Sequence, residues 1–242
     1  MSSALKTHTV ATPASESKAL ESSYVGKVFA IVWKDVLAEL RTKELFTAMF
    51  VFALLSIVIF NFAFQLRVEQ LAGVVPGVLW VAITFSGVLG LNRSLIMEKD
   101  KGSLEGLLLS PVDPSAIYLG KTIGNIIFML AMEVVIVPIF SVFFNLPIFE
   151  PRLALVVVLG TIGFAAVGTL FSAVAVNTKT REVMLPILLF PVSVPVIIGG
   201  VESTALILSG KPLAPTWLGV MVAFDVILTI IAVLTFEYAM EE

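Results

Sequence analysis

Long apolar runs alternate with short polar stretches along the chain. A helix needs about 20 mostly apolar residues to cross the hydrocarbon core of a membrane. Six runs are long enough, at about 45–64, 72–92, 116–142, 153–176, 183–201 and 216–238. The pattern predicts an all-α membrane protein with six transmembrane helices in a single domain, residues 24–242.

The fifth run differs from the others because it carries helix-breaking residues. It contains three prolines and a glycine pair: Pro186, Pro191, Pro195, Gly199 and Gly200. Proline removes a backbone donor and glycine lowers helix propensity, so we expect a kink or break near the outer end of this span. The apolar residues 203–210 are too few to span and are predicted to be re-entrant or interfacial. Glu202, at the expected break, is a candidate part of an outer gate.

Residues 24–41 form a separate amphipathic element. Apolar residues recur there at helical spacing: Val25, Val28, Phe29, Val32, Val36 and Leu40. Charged residues favour the other side of the helix. The stretch is too short and too charged to span, so we predict a helix lying in the inner membrane interface. The alternative is a helix packed against the cytoplasmic loops of the same chain.

Composition agrees with a chain whose solvent is lipid. Of its 242 residues 58% are hydrophobic and 14% charged, and the mean hydropathy is +1.04. Soluble domains have about 45–50% apolar and about 25% charged residues. Residues 1–23 are polar and carry no apolar run, so they are expected to be a disordered cytoplasmic tail and not a signal peptide.

The basic residues predict the orientation of the chain. With both termini in the cytoplasm, twelve of the fifteen lysines and arginines fall on the cytoplasmic side, and only Arg67, Arg152 and Lys211 lie outside. This distribution follows the positive-inside rule. The charged loop at 93–115, between spans two and three, is therefore expected in the cytoplasm.

The Gly120–Lys121–Thr122 triplet after this loop resembles the end of a nucleotide-binding loop. The Walker pattern needs a glycine five residues before Gly120, and that position is Ser115. A structural explanation is better: Asp113 caps the third span, Pro114 fills its first turn, and Lys121 lies at the membrane edge. A catalytic loop is equally poorly supported, because no histidine accompanies the carboxylates of the loop.

A short helix inside the loop is the remaining candidate. Residues 103–109 offer two helical turns, preceded by Gly102 and followed by Ser110–Pro111, with Leu104, Leu107 and Leu108 on one face. Such a helix suits insertion into a groove on a partner protein. From the residues alone, packing of these leucines beneath the bundle explains the pattern equally well.

Two acidic residues lie within the predicted spans. Glu133 is in the third span and Asp225 in the sixth, at comparable depth, and no lysine or arginine lies deep in any span. Acidic residues at membrane depth are energetically costly, which points to a substrate path, a partner contact or a structural hydrogen bond. Asn61 is a weaker candidate of the same kind.

Five stretches of the chain carry a family resemblance. EKDKGSLEGLLLSPVDPSAIYLGK (98–121) resembles the cytoplasmic loop of ABC-2-type permeases. KDVLAELRTKE (34–44), FNFAF (60–64), PGVLWVAITFSGVLGLNRS (76–94) and FEYAMEE (236–242) resemble the CcmB family of heme exporter permeases. The resemblance covers residues 24–242.

The resemblance implies a permease subunit that is not itself an enzyme. It would dock a separate ABC ATPase (CcmA-like) through a coupling helix made by Glu98, Gly102, Ser103, Leu104, Glu105, Leu107, Leu108, Ser110 and Pro111. ATP would act only through that partner, and heme would be the transported substrate in cytochrome c biogenesis. A CcmC-like heme-handling subunit, a CcmD-like single-span subunit, a second copy of the chain and membrane lipid are the implied partners, with no nucleic acid. The implied location is the bacterial inner membrane.

The residues agree with a conduit that holds heme weakly. The chain has no cysteine and one histidine, His8, in the tail. No tightly bound cofactor or metal is expected, and axial coordination of heme would fall to Met or Tyr. An ABC-2 permease for a drug, lipid or polysaccharide is the alternative function. An ATP-independent channel or carrier and an intramembrane enzyme are less well supported, because no clear inverted repeat and no metal-binding motif is found.

Overall fold

The computed structural model describes residues 24–65, 73–100, 106, 112–146, 150–176, 178 and 180–241. Seven long helices account for most of these residues: α1 (Tyr24–Thr42), α2 (Glu44–Gln65), α3 (Val75–Asp100), α4 (Pro114–Phe143), α5 (Pro151–Val176), α6 (Arg181–Leu208) and α7 (Pro215–Glu241). The described part of the chain contains no β-strand. The predicted all-α class is confirmed.

Helices α2 to α7 are long and apolar enough to cross a membrane, as predicted. Helix α3 extends beyond the predicted span, through residues 93–100, so the first part of the predicted coupling loop is helical. Helix α4 has 30 residues. At 1.5 Å per residue it is about 45 Å long, which exceeds the ~30 Å hydrocarbon core. Its N-terminal turns contact helix α1.

The predicted break in the fifth span is wrong. Helix α6 runs without interruption from Arg181 to Leu208, through its three prolines and both glycines, and residues 203–208 are part of it. Gly200 instead makes room for the indole of Trp80, because a Cβ there would lie 2.2 Å from the ring. The indole N–H donates to Thr204 Oγ1 (3.0 Å), one turn further along the same helix. The glycine serves helix packing, a common use of small residues in membrane helices.

Helices α3 and α5 form the centre of the bundle. About 72% of the apolar window of α3 and 67% of that of α5 are buried, against 22–33% for the other four spans. Helix α5 packs against α3, α4, α6 and α7. Its Gly160 faces Trp80, and its Gly168 faces Leu91 of α3, so close approach at these glycines holds the centre together. The remaining spans turn large apolar side chains outward, as expected for a surface that faces lipid.

Helix α1 packs along the first turns of α4 and runs in the same direction. Its contacts step from Tyr24 beside Ser115 to Asp35 beside Lys121. Within the described part of the chain, it therefore packs on a membrane helix. A second face of α1 remains exposed and apolar, with Val25, Phe29 and Leu40 each at least 64% exposed. The interfacial position of this helix stays a prediction.

Candidate functional site

The predicted ATPase-coupling residues lie in the chain between the last turn of α3 and the start of α4. Glu98 lies in the last turn of α3. The other predicted residues lie outside the described part of the chain: Gly102, Ser103, Leu104, Glu105, Leu107, Leu108, Ser110 and Pro111. The structure describes the segments on either side of these residues, 92–100 and 112–125.

The end of α3 is fastened to the neighbouring helices. Lys99 Nζ donates to the carbonyl of Val176 (2.8 Å), the last residue of α5. This places a cation at the negative end of the α5 dipole, where it also occupies a carbonyl left free at the helix terminus. The Asn92 amide donates to the Glu182 carbonyl in α6 (3.3 Å). The segment that enters the coupling loop is thus attached to both α5 and α6.

The start of α4 is fixed by a side-chain cap. Asp113 accepts a hydrogen bond from the Ser115 backbone N–H (2.8 Å) and another from the Ser115 hydroxyl. These hydrogen bonds stabilise the carboxylate and hold the pKa of Asp113 below its usual value. The Ser115 hydroxyl is also 2.9 Å from the Tyr24 hydroxyl of α1. The predicted cap is present, with Pro114 in the first turn.

The Gly120–Lys121 pair forms a docking point for α1. A Cβ on Gly120 would lie 2.8 Å from Ile31, so only glycine allows this approach. The Lys121 side chain is 1% exposed and pairs with Asp35 of α1 (Nζ to Oδ2, 2.8 Å), so it packs between two helices; its position at the membrane edge stays a prediction. Asp35 also pairs with the exposed Lys34 (3.3 Å). The nucleotide-loop resemblance therefore has a structural explanation in the packing of two helices.

Glu133 lies in the wall of a cleft between α4 and α5. Its Oε1 accepts a hydrogen bond from the Thr161 hydroxyl (2.7 Å), and its side chain is buried. Its Oε2 has no hydrogen-bond partner within the described residues. The cleft has a volume of about 340 Å³, and Pro138 of α4 and Pro151 of α5 lie in its wall. Pro138 lies inside the continuous helix α4 and lacks a backbone donor for the turn before it.

The three predicted intramembrane residues do not form one site. Asp225 of α7 packs on Gly163 of α5, two positions from Thr161 and so on nearly the opposite face of that helix. Neither carboxylate oxygen of Asp225 has a hydrogen-bond partner among the described residues. Asn61 donates to the Phe143 carbonyl (2.9 Å) at the end of α4. Each of the three side chains thus serves a different helix contact.

Glu202 lies within the continuous helix α6, about two turns before its end, and its side chain is exposed. Because the helix is not broken there, the argument that placed Glu202 in an outer gate no longer holds.

Several polar contacts of the bundle were missed by sequence reasoning. Tyr118 is fully buried in α4 and donates to the Ala166 carbonyl of α5 (3.1 Å). The Asn125 amide donates to the Thr169 hydroxyl (2.9 Å); this contact lies eight residues before Glu133 on α4 and eight residues after Thr161 on α5. Spacing on α4 gave a usable signal, because Tyr118, Asn125 and Glu133 recur every seven or eight residues and so share one face. The partner residues on α5 gave no comparable signal.

The six apolar helices, with α3 and α5 buried between the other four, define a multi-span membrane protein of the permease type. Comparison with known proteins then identifies the family. The family model described as CcmB protein matches residues 26–242, so the chain belongs to the CcmB family.

Curated relatives agree with this assignment. The chain is 28% identical over 176 residues to heme exporter protein B of Rhodobacter capsulatus, covering 72% of this chain and 80% of the relative. It is 29% identical over 196 residues to heme exporter protein B of Pseudomonas aeruginosa, covering 80% and 87%. Heme exporter protein B of Escherichia coli is 34% identical over 74 residues, covering 31% of this chain and 34% of the relative.

Proposed function

We propose that this chain is the membrane subunit of an ABC complex and couples ATP hydrolysis by a separate ATPase to heme transfer toward the periplasm. The observation that carries the proposal is that both ends of the coupling segment are fastened to other helices. Before the segment, Lys99 forms a hydrogen bond with α5. After it, Lys121 of α4 forms an ion pair with Asp35 of α1. A force applied to residues 101–111 would reach the bundle through these two attachments.

The coupling residues act at the contact with the ATPase. Leu104, Leu107 and Leu108 form the apolar face of the docking helix, and Glu98 and Glu105 flank it. Gly102 begins the helix, and Ser110–Pro111 ends it. The same setting supports a cytoplasmic position, because the basic residues Lys99, Lys101 and Lys121 cluster around the segment.

Heme is the substrate, and the chain holds it weakly. The sequence has no cysteine, and its single histidine is His8, far from the spans. Tyr118 already donates to a backbone carbonyl, and Met49, Met129 and Met132 are packed in the core. Apolar contact is therefore the main means of retention, and a heme-handling membrane subunit supplies stronger axial ligands.

The working unit contains two copies of this chain with two ATPases, together with a heme-handling subunit and a small single-span subunit. Six spans per chain favour a symmetric pair. Both termini face the cytoplasm, and the complex lies in the bacterial inner membrane. Within it, Glu133 and Asp225 contact partner helices or line the substrate path, at two separate places.

Affinity purification tests the coupling role. A tagged wild-type chain is expected to bring down an ABC ATPase together with heme-handling subunits. The variant Leu104→Asp/Leu108→Asp is expected to lose the ATPase and keep the others, because two charges on the apolar face prevent docking in a groove. The matched control is Leu109→Asp, which adds a charge on a different side of the same segment.

The pattern of losses distinguishes the alternatives. Loss of the ATPase with the control as well would mean that the segment does not dock through one face. Absence of any ATPase from the wild-type preparation would favour a channel or carrier.

The substrate needs its own test. Heme delivery to a periplasmic cytochrome c, measured by covalent heme staining, is expected to fail in cells that carry the Leu104→Asp/Leu108→Asp variant. Normal cytochrome c with a detached ATPase would point to another substrate.

A further inference from the structure

A groove between α2 and α3 combines a basic mouth with an apolar track. Its mouth is formed by Lys43, Glu44 and Arg93, and its walls by residues that include Val51, Leu55 and Leu89. It is an open groove of about 610 Å³. The mouth lies at the end of α2 that joins α1, and the track runs toward the middle of the membrane.

The mouth carries a net positive charge, and some of its N–H donors are not used in hydrogen bonds within the described residues. Arg93 donates to Glu44 (2.6 Å), and both side chains are about half exposed. One carboxylate faces two cations there, and a guanidinium has five N–H donors, of which this ion pair uses one. Lys43 has no ion pair with any described residue. The hydroxyl of Thr47 already donates to the Lys43 carbonyl, so Lys43 and Arg93 supply the available donors.

The groove continues into an exposed apolar stripe on α2 that extends beyond its lining residues to Ile59. Thr47, Val51, Leu55 and Ile59 follow each other at four-residue spacing on α2, and the last three are 46%, 55% and 62% exposed. From Thr47 to Ile59 the helix rises about 18 Å, compared with ~15 Å for half of the hydrocarbon core. An acyl chain lying along this stripe would end near the midplane with its headgroup at the basic mouth.

The backbone at the mouth supports a role for the Lys43 side chain. Lys43 has a φ of +54°, a left-handed conformation that glycine adopts without strain. Glycine would be less strained at position 43, between α1 and α2. The presence of lysine there therefore favours a role for its positive charge.

We propose that the α2–α3 groove is a binding site for a phospholipid with an acidic headgroup. Lys43 and Arg93 hold the phosphate, and the stripe from Val51 to Ile59 holds one acyl chain. Basic pockets between membrane helices are a known way of recognising anionic lipids. The site is independent of the substrate and of the ATPase, and it requires only that α2 and α3 span the membrane.

Native mass spectrometry of the full chain, exchanged into equal amounts of phosphatidylglycerol and phosphatidylcholine, tests the site. The wild type is expected to retain phosphatidylglycerol preferentially. Lys43→Gly and Arg93→Gln are each expected to weaken that retention about fivefold, because a basic residue near an acidic membrane surface contributes about 1 kcal/mol. Lys43→Gly suits the local backbone, so its loss of binding would not reflect misfolding. The matched control, Lys211→Gln, removes an exposed charge at the other end of the bundle and should behave as the wild type.

Two further measurements separate the contribution of the lipid headgroup to binding from that of the acyl chain. Ala48→Phe fills the groove without changing any charge and is expected to abolish specific retention of either lipid. An excess of inorganic phosphate should not release phosphatidylglycerol, because the acyl chain contributes to binding. Equal retention of the two lipids by the wild type, or undiminished phosphatidylglycerol binding by the Lys43→Gly/Arg93→Gln double variant, would overturn the proposal.

Discussion

Single side chains at the contact between α1 and α4 stabilise the packing of α1 on the bundle. Lys121 is buried and pairs with Asp35, which has a second, exposed partner in Lys34. Both members of the pair thus contribute to the contact between the two helices, Lys121 from inside the bundle and Asp35 from its edge.

We expect Asp35→Leu and Lys121→Met each to lower the free energy of unfolding by about 3 kcal/mol, because removing one partner of a buried ion pair leaves the other charge poorly compensated. The double variant Asp35→Leu/Lys121→Met should recover most of the loss, because an apolar pair of similar volume can replace a buried ion pair. Thermal unfolding of the purified proteins in detergent measures all three. Additive losses in the double variant would show that the pair does not act as a unit.

The position of Trp80 predicts which glycines resist change. Gly200→Ala places a Cβ 2.2 Å from the indole, and Gly160→Ala places one 2.1 Å away. Each substitution is expected to cost about 1–3 kcal/mol through overpacking. Gly219→Ala is the control, because no atom lies within 4 Å of its added Cβ, and it should be neutral or slightly stabilising. The midpoint of thermal unfolding gives the comparison.

Among whole elements, the start of α4 has a measurable cap. Asp113→Ala is expected to cost about 1 kcal/mol at neutral pH, whereas Asp113→Asn keeps an acceptor and should cost less. The hydrogen bonds from Ser115 lower the pKa of Asp113 in the folded state, so its stabilisation is complete above the unfolded pKa, and is lost as the pH falls through the lower folded value.

The difference in stability between wild type and Asp113→Ala should therefore shrink below about pH 4, near the model-peptide pKa of an aspartate. Unfolding of both proteins, measured at pH 7 and at progressively lower pH, tests the direction of this pH dependence. A difference that grows toward acid pH would contradict it.

The helical elements were the part best predicted from sequence. Runs of apolar residues gave all six spans, because a membrane helix must be apolar along its whole length. The predicted break in the fifth span was wrong because proline and glycine were judged by local propensity, whereas Gly200 lies in a continuous helix and packs against Trp80.

The polar contacts were less predictable. Glu133 and Asp225 stood out as acidic residues in apolar runs, but their separation on two faces of α5 depends on the arrangement of helices. The ion pair of Lys121 was missed for the same reason: its partner, Asp35, lies 86 residues away in the chain.

The whole molecule offers a simple test of orientation. The chain has no cysteine, so one substitution creates a unique thiol. Thr180→Cys, at the start of α6, is expected to react with a membrane-impermeant maleimide only after the inner membrane is opened. Ser209→Cys, at the end of the same helix, should react once the outer membrane is permeable. The reverse pattern would place the termini in the periplasm.

The pairing of α1 with α4 has a consequence for how the protein is made. Helix α1 is synthesised before α4, and Gly124 of α4, which packs beside Asp35 of α1, follows Thr42 by 82 positions. At roughly 5–20 residues per second, the nascent chain needs on the order of 4–16 s to supply that surface. During this interval the face of α1 that carries Ile31 and Asp35 has no protein to cover it, so the bilayer surface must shelter the first helix until the fourth arrives.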